Sequence, residues 1–257
     1  MRQLPSTIVF AGMAGSGKTS IVAEYSRWLA ENLSAKIATV NLDPGVEDLP
    51  YEPVFDIRKY FTLSYLMRKY RLGPNAAFLK SAEEIEALTQ NIMQDEPFTD
   101  LMKWDYILID TPGQLEAFIF RPESRKFLSR ISRRSNTVIA YLIDSSIIDN
   151  VPDAVTSWFM YVLIQLKTGL LTVPIISKSD VARNPSMLRT LIENPSGLIG
   201  REMTHGLQAE LLPELINIAE KTRGALRAVL VSIYDENSLK NLNDLLHEAF
   251  CVCGDLT

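Results

Sequence analysis

Gly12-Met13-Ala14-Gly15-Ser16-Gly17-Lys18-Thr19 decides the fold. It has the spacing GxxxxGK[ST], and it stands between two segments of different period. Residues 7–11 are a short apolar, β-branched run, which predicts a buried strand. Residues 18–33 carry Ile21, Val22, Tyr25, Trp28, Leu29 and Leu33 at helical spacing. A strand that enters a glycine-rich turn and leaves it as a helix is the setting of a phosphate loop. The glycines let successive N–H groups turn inward around phosphate oxygens, and the helix start adds its positive dipole end. Gly12, Ala14, Gly15, Ser16, Gly17 and Ser20 are therefore expected around a nucleotide's phosphates. Lys18 is expected at the β- and γ-phosphates and Thr19 on Mg²⁺. With Met13 in second place, the loop lacks the extra early lysine of partitioning-type ATPases.

Outward from this loop the same alternation continues. Further strands are predicted at 36–42, 106–110, 137–144, 173–177 and 228–232, and helices at 122–134, 153–168, 207–222 and 238–250. Pro213 marks a kink in the helix at 207–222. Between 44 and about 104 the pattern changes. Pro44, Pro50, Pro53 and Pro74 interrupt it, and helical stretches follow near 56–69 and 81–94, which reads as a helical insertion. The expectation is one α/β domain over residues 1–257, a three-layer fold with a mostly parallel sheet covered on both faces.

Composition narrows the function. The chain has 257 residues, 47% of them hydrophobic, enough for a large core and too apolar for a disordered chain. Lys+Arg is 26 against Asp+Glu 31, a formal charge of -5 that gives no support to direct nucleic-acid binding. The two cysteines, Cys251 and Cys253, exclude a disulfide scaffold, and with His205 and His247 far apart they argue against structural zinc. The longest apolar stretches are broken by Gln165 and by Asp144 and so fall short of the roughly 20 residues of a spanning helix. The absence of a membrane segment or targeting signal, with few cysteines, points to the cytoplasm.

Four further motifs carry chemistry. Asp110-Thr111-Pro112-Gly113-Gln114 follows the apolar run 107–109. A carboxylate at that strand end can hold Mg²⁺, so Asp110 is a metal candidate, and Gly113 can present its N–H to a γ-phosphate. Gln114 and Glu116 are placed to orient or activate water, on a segment able to switch with the third phosphate. Asn41-Leu42-Asp43-Pro44 ends the second strand, which puts Asp43 near the metal and the γ-phosphate. Ser177-Lys178-Ser179-Asp180 follows another buried strand. Asp180 can accept from guanine N1–H and the 2-amino group, the Lys178 stem can cover the base, and Ser232 can help close the pocket. Ser177 departs from the commoner asparagine and Ile233 from the commoner alanine. Last, Gly73-Pro74-Asn75 lies inside the helical insertion, where by itself it reads as a turn.

Taken with the phosphate loop, Asn41 to Pro44 and Asp110 to Glu116, that tripeptide resembles the signature of the GPN-loop GTPases. The resemblance covers the chain from Ile8 to about Phe250, with Ala76, Ser177 and Ile233 as departures. It implies a homodimer whose subunits face each other through their nucleotide sites. It also implies that Asn75 acts across the interface, with Gln114, Glu116 and Asp43 around the attacking water and the metal, and Lys18 on the phosphates. GTP is then the substrate, GDP the product and Mg²⁺ the cofactor. Eukaryotic members are linked to assembly and nuclear import of RNA polymerase, but this sequence names no protein client. The alternatives are a P-loop ATPase, a small-molecule kinase, or a nucleotide-dependent assembly scaffold with little turnover. The basic run Arg121, Arg125, Lys126, Arg130, Arg133 and Arg134 reads as a solvated helix face, and Trp158, Phe159 and Tyr161 as core or subunit contact.

Overall fold

The computed structural model describes residues 4–115, 118–200, 205–222 and 228–254. The buried run before the phosphate loop forms β1 (Ser6–Gly12) at the heart of a parallel sheet. In chain order the other strands are β2 (Ile37–Asn41), β3 (Phe55–Asp56), β4 (Tyr106–Asp110), β5 (Asn136–Asp144), β6 (Thr172–Ser177) and β7 (Val229–Val231). They lie side by side as β3-β2-β4-β1-β5-β6-β7, with every pairing parallel. The helices are α1 (Lys18–Leu33), α2 (Leu63–Tyr70), α3 (Pro74–Ala87), α4 (Thr89–Ile92), α5 (Pro122–Ser132), α6 (Val151–Thr168), α7 (Pro185–Glu193), α8 (Leu207–Thr222) and α9 (Glu236–Gly254).

Because side chains alternate along a strand, each strand feeds both faces of the sheet. Ile8 and Phe10 of β1 pack with Tyr25 and Leu29 of α1 and Leu242 and Leu246 of α9. Val9 and Ala11 face the opposite layer, with Phe127 of α5, Trp158 of α6 and Leu188 of α7. The result is the three-layer α/β arrangement that near-continuous apolar strands demand. Trp158 is fully buried and meets Tyr161 edge to face, so this aromatic pair belongs to the core.

The structure departs from the sequence reading in three places. A helix was expected from residue 56, yet Phe55–Asp56 pair with β2 at the sheet edge. Two residues are too few for any period to show. Here Asp56 ends the strand and its carboxylate caps the turn Ile57–Lys59 by accepting from Arg58 N. The second stretch, expected at 81–94, begins earlier, at Pro74, and breaks at Leu88. Gly73 is its N-cap and Pro74 fills the first turn, where the missing N–H costs nothing. The tripeptide is therefore a helix start. The third departure is α7, which lies between the strand expected at 173–177 and the helix expected at 207–222, where no element was predicted. Asn184 caps the helix by accepting from Met187 N, and Pro185 follows as its first residue, where its fixed φ suits a helix start and its missing N–H costs nothing. α8 runs through Pro213 as one helix.

Candidate functional site

Parallel register brings the carboxyl ends of the strands to one edge. Asn41 lies opposite Asp110, Asp110 opposite Phe10, Leu142 opposite Gly12, and Ser177 opposite both Asp144 and Val231. In open α/β sheets that edge is the ligand crevice. The loop leaving β1 crosses it. Gly17, at φ 88, takes the left-handed conformation that a Cβ disfavours and serves as N-cap of α1 without a side-chain cap. The N-terminal end of α1 thus faces the crevice with its dipole. Lys18 Nζ donates to the carbonyls of Gly12 and Met13, each at 3.0 Å. Burial lowers the pKa of this ammonium, while Asp110 and Asp43 pull it back up.

On one side of the loop sit the carboxylates. Asp110 is almost fully buried. Burial pushes its pKa up to about 6, against the pull of the Thr19 hydroxyl, the Lys18 ammonium and the Tyr51 hydroxyl. Its Oδ2 accepts from the Tyr51 hydroxyl at 3.1 Å, while Oδ1 is buried with no hydrogen-bond partner. Asp43 accepts from Gly45 N at 2.8 Å, and its own N–H is held by Asn41 Oδ1 at 3.0 Å. Burial raises the Asp43 carboxyl, and the N–H groups of Gly45 and Gly113 and the Lys18 ammonium oppose that. Gly113 presses on the phosphate loop so closely that a Cβ there would stand 3.1 Å from Ala14 Cα. Among the described residues no cluster of three or more His, Cys, Asp or Glu side chains gathers as a metal centre. A hard cation that keeps most of its water and takes phosphate oxygens does not need one. The unpartnered Asp110 Oδ1, with the Thr19 hydroxyl bearing on the same carboxylate, is a donor set that fits Mg²⁺.

On the other side lies a cavity of ≈ 260 Å³, lined by Ser16, Gly17 and Ser20 of the phosphate loop and by Ser177, Lys178 and Asp180. Ile233 and Tyr234 close it from beyond β7. Asp180 is exposed at its rim. The Lys178 ammonium is drawn onto Asp144 Oδ2 at 2.7 Å, and its Cε passes 3.9 Å from where a Cβ on Gly17 would stand. Ser232 is buried behind the cavity wall. Its hydroxyl accepts from Tyr234 N at 3.3 Å, and its N–H is taken by Ser238 Oγ at 3.0 Å. It shapes the turn that carries Ile233 and Tyr234 and is not itself a lining residue.

The tripeptide also reaches the site. Residues 73–76 are exposed, and Asn75 Oδ1 accepts from Gln114 Nε2 of the same chain at 3.3 Å. Glu116 lies outside the described residues.

A family model described as "Conserved hypothetical ATP binding protein" matches residues 10–252. The chain is 31% identical over 257 residues to GPN-loop GTPase PAB0955 of Pyrococcus abyssi, covering 97% of this chain and 99% of that protein. The chain belongs to the GPN-loop GTPase family. It is also 33% identical over 180 residues to GPN-loop GTPase 1 of Saccharomyces cerevisiae, covering 69% of this chain and 46% of the yeast protein. It therefore spans about half the length of that relative. The apo crystal structure of the Pyrococcus GTPase superposes with a TM-score of 0.85 at 29% identity, over 96% of this chain and 98% of that one.

In this GPN-loop GTPase two residues touch the site that the motif reading passed over. Tyr51 sits between Pro50 and Pro53, where only its neighbourhood of turn residues hinted at a tight loop. Asp144 is a carboxylate ending a buried strand, the very signal that singled out Asp110. Ser177, where asparagine is commoner, braces the phosphate loop: its hydroxyl donates to Ser16 O at 2.8 Å, within reach of Ile143 O at 3.2 Å. The basic helix is not simply solvated. Arg121 pairs with Glu83 at 3.2 Å and Lys126 pairs with Glu86, both on α3.

Proposed function

We propose that this chain is a homodimeric GTPase switch that hydrolyses GTP to GDP and phosphate with Mg²⁺, the Gly73-Pro74-Asn75 segment acting across the dimer interface. The observation that carries the reading is the cavity shared by the phosphate loop and the pair Lys178 and Asp180. A base seated there has the Lys178 stem over it and the Asp180 carboxylate at its edge. That carboxylate accepts from guanine N1–H and the 2-amino group, while adenine offers no such pair of donors. Guanine thus fits better than the adenine named in the family model's description.

In this reading water attacks the γ-phosphorus, the bond to the bridging oxygen breaks, and its electron pair leaves with GDP. Lys18, now turned onto Gly12 and Met13 carbonyls, moves to the β- and γ-phosphates. The N–H groups of the loop and of Gly113 take the charge on the transferring oxygens. Thr19, Asp43 and Asp110 would hold Mg²⁺, directly or through water, and the ion would supply positive charge beside the phosphates. Gln114 orients the attacking water, with Asp43 beside it, and Glu116 is the sequence's further candidate for activating that water. Asn75 already stands at Gln114 on an exposed helix start, so a second copy facing this edge meets the same group.

Calorimetric titration of nucleotide-free protein with GDP and with ADP, in Mg²⁺, tests the base. Tight GDP binding with little ADP binding is expected, and equal or stronger ADP binding overturns the guanine reading. Single-turnover hydrolysis of GTP then separates the enzyme from a binding scaffold.

A further inference from the structure

Tyr51 belongs to none of the motifs, yet it donates a hydrogen bond to the buried carboxylate of the site. Its hydroxyl donates to Asp110 Oδ2 at 3.1 Å. The other oxygen, Oδ1, has no partner although it is buried. A carboxylate free to rotate would exchange its two oxygens, whereas one held at Oδ2 presents only Oδ1. Tyr51 itself is held. It stands on the segment that runs from the end of β2 to β3, between Pro50 and Pro53, whose rings lock φ. Thr39 donates to Glu52 O at 3.0 Å and accepts at its carbonyl from Val54 N at 2.9 Å. Arg58 grips the other end of the segment, donating to Val46 O at 3.2 Å and Glu47 O at 2.7 Å. The ring packs beside the core formed by α1 and β1, so a phenylalanine fills the same space without the hydroxyl.

We infer that Tyr51 is a positioning residue for the cation side of the site: its hydroxyl takes Asp110 Oδ2 so that Oδ1 is the oxygen offered to Mg²⁺ and its water shell. The inference rests on the Mg²⁺-dependent reading above. Outer-shell donors that orient a ligating carboxylate are commonly worth about tenfold or more in metal affinity.

The test is release of a fluorescent GDP analogue from the full chain, followed across Mg²⁺ concentrations and in EDTA. For Tyr51→Phe the Mg²⁺ concentration that half-slows release is expected to rise about tenfold. Release in EDTA is expected to match the wild type, because without the ion the oxygen Tyr51 selects has nothing to hold. In an Asp110→Asn background Tyr51→Phe is expected to add no further shift. An unchanged Mg²⁺ midpoint overturns the inference. Faster release in EDTA by the same factor also overturns it, since that marks a general loosening of the loop. A wild type whose release ignores Mg²⁺ defeats the cation reading itself, an outcome distinct from either.

Discussion

Gly113 is the residue at which chemistry and binding are expected to come apart. A methyl group there would stand 3.1 Å from Ala14 Cα and 3.2 Å from Ala14 Cβ, neither of which is the end of a flexible chain. Gly113→Ala must push the switch segment off the phosphate loop by a few tenths of an ångström. Displacements near 1 Å can cost about 100-fold in rate. Single-turnover GTP hydrolysis by Gly113→Ala is therefore expected to fall about tenfold or more, with GDP affinity by calorimetry nearly unchanged. Equal losses in both would show that Gly113 serves the loop as a whole. Asp144 gives a pH signature. Burial raises its carboxyl, but the Lys178 ammonium and the hydroxyl and N–H of Ser146 outweigh that and leave it below its ordinary value. A carboxyl depressed by folding adds stability above its unfolded value, about 3.9, and loses it as pH falls through the folded value. Asp144→Asn is expected to melt below the wild type at pH 7, the gap closing below about pH 4 in thermal scans. A gap independent of pH would mean that the charge is not what Asp144 contributes. Lys178, Asp180, Asp110 and Asp43 were all legible as site candidates, because each follows an apolar run at a strand end. Tyr51 was not, since its partner lies 59 residues away in the chain.

At the scale of elements, the segment between β2 and β3 hangs on Arg58. Its guanidinium grips both oxygens of Asp56 and the carbonyls of Val46 and Glu47, while Asn41 joins Asp56 to Asp43. Hydrogen bonds to charged groups contribute about 1.5–3 kcal/mol, and these are only partly buried. Arg58→Ala is expected to lower stability by about 2 kcal/mol in denaturant titrations. It should also speed amide exchange over residues 46–52 more than elsewhere. Uniform exchange changes would mean that the segment is not held locally. The pairs joining α3 to α5 are of another kind, each with one exposed and one half-exposed partner and so worth little to stability. Their charges had been read as one solvated face, because the acidic partners Glu83 and Glu86 lie about 40 residues earlier and a helix's own period cannot reveal a second helix.

The whole molecule decides whether Asn75 serves its own site or a partner's. Within one chain it touches Gln114 at 3.3 Å through an exposed hydrogen bond. Mixed dimers distinguish the two arrangements. Asn75→Ala and Gln114→Ala are each expected to hydrolyse GTP poorly. If Asn75 acts across the interface, mixing them creates one site with both groups, and hydrolysis recovers to a substantial fraction of wild type in single-turnover assays. If it acts within its own chain, no mixed site is complete and the mixture stays inactive. A mass twice that of one chain by light scattering checks that the dimer forms.

What the sequence determined by itself was the sheet, apart from its two-residue edge strand β3, and the order of its motifs. Apolar runs ending in glycine or aspartate, alternating with helical periods, suffice to specify parallel strands whose carboxyl ends meet, because backbone hydrogen bonding and burial leave few other solutions. α1 and β4 stand where their periods put them, at Lys18–Leu33 and Tyr106–Asp110. Only the tertiary structure decided which side chains share a proton or a charge. Tyr51 with Asp110, Lys178 with Asp144, Ser177 with the phosphate loop and Asn75 with Gln114 are all distant in the chain. Periodicity reports which face of an element is buried. It carries no information on what waits there, and that is supplied by the crossing of elements in space.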